Sequence, residues 1–357
     1  MDLAVPINGA KSVMWVERFR DAGEFEIVAP VSAGFRQTLP IGSFISHVDT
    51  KEIMVVENHE ISDNKEGLSE ITVSGRSFVT MLEHRIVGGS IDYGGVNGAV
   101  INEYELPSNQ IWAQAKQLLL DHTEFSTAYD ANDAWVNSDV DHEIVDESHD
   151  YPNEVARVVK RESVYKELMD LLQLGNLGVK TVRPGPWSPY TGVTTIVYDG
   201  IDRTNQVVFS YGFGEISDAK YFWTNKKRKT SAIVIGKWLQ TVVHEPGESY
   251  SRRTMIVDAK DIDENFEALP TGTDRTTVVS RMQARGIQAL ASQVDIAVSS
   301  AEISRESTRY AYRQDYNLGD IVAVEGNYDE QTVAQVTEFV EIEDENGTTQ
   351  YPTLSGL

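Results

Sequence analysis

The sequence predicts a β-rich α+β fold, and three observations carry that prediction. Strand-like patterning dominates residues 13–73 and returns from Val193 onward, two amphipathic helical periods fall between them, and one further helical period interrupts the second strand-rich stretch. Elements that cluster by type, instead of alternating strand with helix, argue for α+β with two β-regions and a helical region between or beside them. At 357 residues, 41% hydrophobic, with 11 Phe, 6 Trp and 15 Tyr, the chain has the apolar surface for a sizeable core.

Taken in order, VMWVERFRDAGEFEIVAP places Val13, Trp15 and Phe19 among polar residues, turns at Asp21-Ala22-Gly23 and resumes with Phe25 and Ile27 before Pro30, the pattern of a hairpin. A second apolar run, Ile53 to Val56, continues to Ile61, and Asn64-Lys65-Glu66-Gly67 separates it from Ile71 to Val73. Ser77 is placed to cap a short helix with Phe78, Met81 and Leu82 on one face. Five glycines between Gly88 and Gly98 read as a loop, because neither a Gly-Lys-Ser/Thr ending nor a GxGxxG register is present.

Two helices are then expected. Ser108 precedes Ile111, Trp112, Ala115, Leu118 and Leu119, and Ser163 precedes Val164, Leu168, Leu171 and Leu172, with Gly175 at the close. The polar stretch Asp121 to Glu154 between them reads as a loop-rich insertion. Strands follow at Val193–Tyr198, Val207–Tyr211, Tyr221–Trp223, Ala232–Ile235, Trp238–Val243 and Met255–Val257, with turns at Asp199-Gly200 and Gly212-Phe213-Gly214. A third helix is expected over Thr276–Ala291 with Val279, Met282, Gly286 and Leu290 in one stripe, and the final strands run from Val333 to Ile342, through an Asn346-Gly347 turn, to Tyr351-Pro352.

The stretch Tyr310 to Gly326, YAYRQDYNLGDIVAVEG, reads as strand, tight turn and buried strand, with Asn317, Leu318, Gly319 and Asp320 at the turn. Asp315 and Asp320 flank it and could be mistaken for the paired carboxylates of a hydrolase; the expectation is that Asp315, Asn317, Gly319 and Asp320 organise the turn, since Asp commonly satisfies backbone N–H groups there.

The 55 acidic side chains against 31 basic give a formal net charge of -24. Such a balance argues against a dedicated nucleic-acid binder and against docking on anionic lipid, and suits either solubility at high concentration or, as the sharper reading, a surface past which a polyanion slides without sticking. No cysteine is present, which excludes disulfides and thiolate chemistry. No basic segment followed by an apolar one opens the sequence, and no run approaches a membrane span, so a soluble product with no standard export signal is expected.

Motifs for chemistry are sparse. Asp139, Asp141 and Glu143 have EF-hand-like spacing, but Ile144 stands where the loop needs glycine and Asp150 where it needs glutamate, and His142 and His149 lack an HExxH frame, so the run reads as a solvated acidic loop. Lys226, Lys227, Arg228 and Lys229 form the one basic run, read as a turn that meets an acidic partner. No GxSxG or SxxK motif occurs, and neither a cofactor nor a metal is expected. A carboxylate-dependent hydrolase of cell-wall glycans and a receptor-binding module are the alternatives.

Several phrases in order, EIMVVENHEI, ITVSGRSFVTMLEHRIV, DRTNQVVFSYGFGEI, KTSAIVIG and RQDYNLGDIVAVEG with a closing YPTL, resemble the tail-tip hub proteins of siphophages, over about Trp15 to Pro352. The resemblance implies two tube-like β-barrel domains per chain with accessory domains, assembled as a homotrimer. Its pseudo-sixfold ring would mate with a hexameric distal tail protein or tail tube protein on one side and with threefold tip or fibre proteins on the other. It implies a virion protein at the distal end of the tail, assembled in the host cytoplasm, meeting the tape-measure protein and passing DNA without specific binding, with no stable membrane association. On this footing the divisions are 1–100 for a first β-barrel hub domain, 101–192 for the helical and loop-rich accessory region, and 193–357 for a second β-barrel domain with one inserted helix. Many such proteins carry a C-terminal peptidoglycan-cleaving domain; the roughly 30 residues after Gly326 are too few for one, so a separate polypeptide is expected to do that work and this chain to be no enzyme.

Overall fold

In a computed structural model, residues 7–47, 49–50, 52–63, 69–87, 91–92, 100–101, 104–106, 109–123, 142–147, 157–159, 162–183, 193–224, 228–244, 252–260, 262–263, 273–291, 296–303, 309–326 and 331–356 are described. The strands are β1 Ser12–Arg18, β2 Glu24–Pro30, β3 Phe44–Ser46, β4 Ile53–Asp63, β5 Ser69–Ser77, β6 Ile91–Asp92, β7 Val100–Ile101, β8 Tyr104–Leu106, β9 His142–Glu147, β10 Arg157–Val159, β11 Leu177–Val182, β12 Val193–Asp199, β13 Val208–Ser210, β14 Ile216–Thr224, β15 Ser231–Ile235, β16 Gln240–His244, β17 Thr254–Asp258, β18 Ile296–Ile303, β19 Ile321–Glu325, β20 Gln331–Asp344 and β21 Gly347–Gly356. The helices are α1 Phe35–Thr38, α2 Ile111–Thr123, α3 Val164–Gly175 and α4 Thr273–Ala291.

The predicted hairpin forms: β1 and β2 pair antiparallel with Trp15 opposite Phe25. Phe25, Ile27 and Ala29 are buried at period two along β2, and with Trp15, Met54, Val56, Ile71 and Val73 they make the N-terminal core. Burying one such phenylalanine contributes roughly 2–3 kcal/mol. β2 continues to β5 and β5 to β4, so the first strand-rich region is one antiparallel ladder ending at β3.

The other edge of β1 holds the feature that organises the molecule. β1 pairs antiparallel with β20, Trp15 opposite Glu341 and Glu17 opposite Phe339, so the two strand-rich regions are hydrogen-bonded along one sheet. Strand β20 is shared: its first residues pair with β19, Glu338–Glu343 pair with β1, and β21 runs along its opposite edge. A register shift between Val336 and Glu338 lets Phe339, one position out of the simple alternation, join Ala334 and Val336 in the same core. The freed carbonyl of Thr337 accepts from Phe19 N at 2.9 Å. Arg18 adds a tie across three strands, its guanidinium bonding Glu24 at 2.6 Å and Glu338 at 2.7 Å. Several separate sheets complete the fold, and among the described residues none closes into a barrel.

Helix α3 starts as its sequence demands, Ser163 Oγ accepting from Lys166 N, and buries Val164, Leu168, Leu171 and Leu172 against α2, the 3₁₀ segment Phe78–His84 and the sheet β11–β12–β9. Helix α4 covers the sheet β16–β15–β17, with Gly286 so close that a Cβ there would lie 2.7 Å from Val234.

Several expectations are corrected. Tyr310–Tyr312 is not a strand but a packed turn: Asp315 N and Gln314 N return to Ala311 O, because the tyrosine rings pack inward on Phe209 and Phe339 instead of alternating across a ladder. Ser77 makes no cap bond; its hydroxyl is taken by Glu52 and Gly23, and the segment after it is 3₁₀ with Val79, Thr80 and Leu82 inward. α3 closes on Asn176, left-handed at φ 50°, with Gly175 still helical. Val278, not Val279, joins the α4 stripe. Within the supposed acidic loop, His142–Glu147 is a strand parallel to β12, drawn in by Ile144 packing in the helical core. Trp238 precedes its strand, and the final hairpin turns on Glu345-Asn346 with Gly347 already paired to Asp344. The Asn64–Gly67 turn and most of the Gly88–Gly98 loop lie outside the described residues.

Candidate functional site

Beside the β1–β20 seam lies a cleft of about 630 Å³, whose walls come from β1, the segment before β4, β11, β12 and the turn Tyr312–Asp320. Each wall follows from local sequence. In VMWVERF the alternation puts Glu17 on the same face as Trp15, opposite Phe339, and so toward the interior. Glu52 precedes the buried run Ile53–Val56 and bridges to Val182 of β11. Arg313, with φ +67°, turns the chain back so that its N–H reaches Tyr316 O at 2.8 Å and its guanidinium enters the cleft.

Glu17, only 6% exposed, accepts from Tyr312 Oη at 2.8 Å and from Arg313 Nη2 at 2.8 Å. Glu52, 7% exposed, accepts from the Ser77 hydroxyl. Burial first, and the Glu17 charge second, push the Glu52 carboxyl up to about 8, against the lowering pull of Ser77, Lys180 and Arg313. Burial, then the Glu17 charge, also raises the Tyr312 phenol well above its ordinary value. Lys180 lies over the Tyr198 ring at 4.5 Å on the facing wall. The cleft therefore pairs an anchored carboxylate with a second carboxyl group that stays protonated at neutral pH and exchanges one proton just above it.

Asp320 sits at the base of this cleft, 2% exposed. It accepts from Ile201 N at 2.8 Å, Arg203 Nε at 2.6 Å and Asn317 N at 2.9 Å. Asp315 is exposed, accepts from Ala311 N at 2.8 Å and does not line the cleft that Asp320 lines. Gly319, at φ +90°, packs where a Cβ would lie 2.3 Å from the Phe19 ring, and its carbonyl accepts from Gln335. The structure thus does not bring Asp315 and Asp320 together as a pair. Asn317 lines the cleft through its turn.

Of the basic run, Lys226 and Lys227 lie outside the described residues, while Arg228 and Lys229 are half-buried at the entry to β15. Asp139, Asp141, His149 and Asp150 also lie outside. Sequence reading missed Glu17 and Glu52; the available signal was a glutamate inside an apolar strand run, once in β1 and once at the threshold of β4. No helix among the described residues is long and apolar enough to cross a membrane.

Comparison with known proteins adds the family. No curated protein matches the chain by sequence. Among solved structures, the fold is similar to a tail protein from Neisseria meningitidis MC58, at TM-score 0.55 and 12% identity over 97% of this chain and 92% of that one. It is also similar to the 43 kDa tail protein of prophage MuSo2 from Shewanella oneidensis, at TM-score 0.54 and 11% identity over 98% of this chain and 94% of that one. The family model described as Siphovirus ReqiPepy6 Gp37-like protein matches residues 1–354, so the chain belongs to that family of siphovirus proteins.

Proposed function

We propose that this chain is a structural, non-enzymatic component of a phage tail, the hub of the tail tip. The whole-chain membership in a siphovirus protein family carries the reading, and the fold shared with two tail proteins over nearly the full length supports it. In this reading three copies form a pseudo-sixfold ring, each chain supplying two strand-rich, tube-like units divided near 1–100 and 193–357 around the accessory region 101–192. The ring adapts a hexameric tail tube or distal tail protein to threefold tip or fibre proteins at the distal end of the virion. The charge of -24 supports a channel that does not retain passing DNA.

A surface for such assembly is present. One face of the β16–β15–β17 sheet is covered by α4, and on the other Val242 and Ile256, both paired to Ile233, are 47% and 69% exposed. Native mass spectrometry of the full chain tests the reading: a trimer is expected, lost in a Val242→Asp, Ile256→Asp double variant whose circular dichroism is unchanged. A stable monomer absent from purified tails overturns it.

A carboxylate-dependent hydrolase, the second reading, would have to act through Glu17 and Glu52. Both Glu17 oxygens are committed to Tyr312 and Arg313, which favours an internal tie over turnover. Cell-wall glycan cleavage lost on Glu17→Gln would reverse that preference.

A further inference from the structure

We propose that His47, Glu341 and Glu343 form a zinc-type divalent metal site that clamps the loop after β3 to the β1–β20 seam. One ligand atom from each of the three side chains lies within 4.8 Å of the other two. Glu341 and Glu343 are two apart on β20 and so share a face. They stand opposite Trp15 and Val13 of β1, the face over which the His47 ring lies, 5.8 Å from the Trp15 ring.

One largely buried carboxylate at this spot has no bonded partner among the described residues. Glu341 is only 6% exposed, yet no hydrogen bond or ion pair holds it among the described residues. Arg313, which feels its charge, is already bonded to Glu17. A carboxylate buried without a counter-charge is costly, and buried charges are ordinarily paired or bound to metal. A cation at the His47–Glu341–Glu343 centre removes that cost.

The donor set selects the metal. One imidazole and two carboxylates suit zinc and its neighbours, whereas calcium and magnesium take all-oxygen shells. Zinc bonds of ~2.0–2.1 Å draw tetrahedral donors to roughly 3.3 Å of one another, and the exposed Glu343 side chain can close that gap. The Asp49 N–H approaches His47 Nδ1 at 3.4 Å, the long limit of a hydrogen bond, so it is a weak competitor for the ring. Three protein ligands leave a fourth position for water.

The test is calorimetric titration of ZnCl2 into the full chain after dialysis against chelator, with thermal melts alongside. One equivalent per chain should bind and raise the melting temperature, with MgCl2 and CaCl2 unable to compete at tenfold excess. His47→Ala and Glu341→Gln should each weaken binding at least ~10-fold, as loss of one of three ligands demands. His84→Ala, at an exposed histidine remote in sequence, should leave it unchanged. Glu341→Gln should also raise the melting temperature of the metal-free protein, which distinguishes lost coordination from a damaged fold. Absence of zinc binding, binding indifferent to both His47→Ala and Glu341→Gln, or equal competition by calcium would overturn the proposal.

Discussion

Two neighbouring regions bury carboxylates in opposite ways. At the 317–321 turn, Asp320 is surrounded by donors, two backbone N–H groups and the Arg203 guanidinium, all within 2.9 Å. In the adjoining cleft, Glu52 has one hydroxyl donor and a second carboxylate for a neighbour. The first is a knot that ties residues 201–203 to the turn, because its acceptors meet donors already fixed in space. The second is a site whose stability depends on holding a proton. Residue type and burial are nearly the same, and the number of fixed donors decides the behaviour.

The comparison breaks most sharply at Asp320. Asp320→Ala removes the acceptor of two part-buried N–H groups and the counter-charge of Arg203, so a loss of ~2–4 kcal/mol is expected by chemical denaturation. Asp320→Asn, which keeps the shape but loses charge and acceptors, should impair folding or assembly less. If Asp320→Ala costs under about 1 kcal/mol, the knot is not what holds the turn.

The cleft should answer to pH instead. Glu52 has a folded value of about 8 against an ordinary 4.5, so the folded protein binds a proton that the unfolded chain has released between those values. Stability therefore falls as pH rises from 4.5 to 8, by on the order of a few kcal/mol. Glu52→Gln, permanently neutral, should flatten that slope and match the wild type near pH 5. An unchanged slope in the variant would assign the dependence elsewhere.

Smaller effects sharpen the contrast. Gly319→Ala forces a methyl toward the Phe19 ring at a positive φ, an expected ~2–3 kcal/mol read in the denaturation midpoint. Tyr312→Phe removes one of two donors to Glu17 while keeping the stack on Phe339, at 3.9 Å between ring centres, and should cost ~1–2 kcal/mol.

What was legible in the sequence is what short-range physics decides. The Trp15–Phe25 hairpin follows from alternation and Asp21-Ala22-Gly23, and α3 follows from Ser163 and the Val164–Leu168–Leu171–Leu172 stripe. The α+β, β-rich class followed from clustering of those local elements. Pairing of β1 with β20 was not legible, since no local pattern says which distant strand an edge will choose. The cleft was hidden for the same reason: Glu17 and Glu52 look like ordinary surface glutamates until β20, β11 and the Tyr312 turn close over them. His47 meets Glu341 only through that seam.

The seam also sets a schedule for synthesis. Arg18 of β1 and its partner Glu338 are 320 residues apart. At translation rates of ~5–20 residues per second, β1 leaves the ribosome tens of seconds before β20 exists. During that interval the N-terminal ladder can form through β2, β5 and β4, but the outer edge of β1 carries unpaired backbone groups, a template for another nascent chain. Glu17 and Arg18 on that edge are charges that make premature pairing unfavourable until β20 brings Glu338 to Arg18 and the Tyr312 turn brings Arg313 to Glu17. Residues that stabilise the finished seam thus also guard the unfinished one.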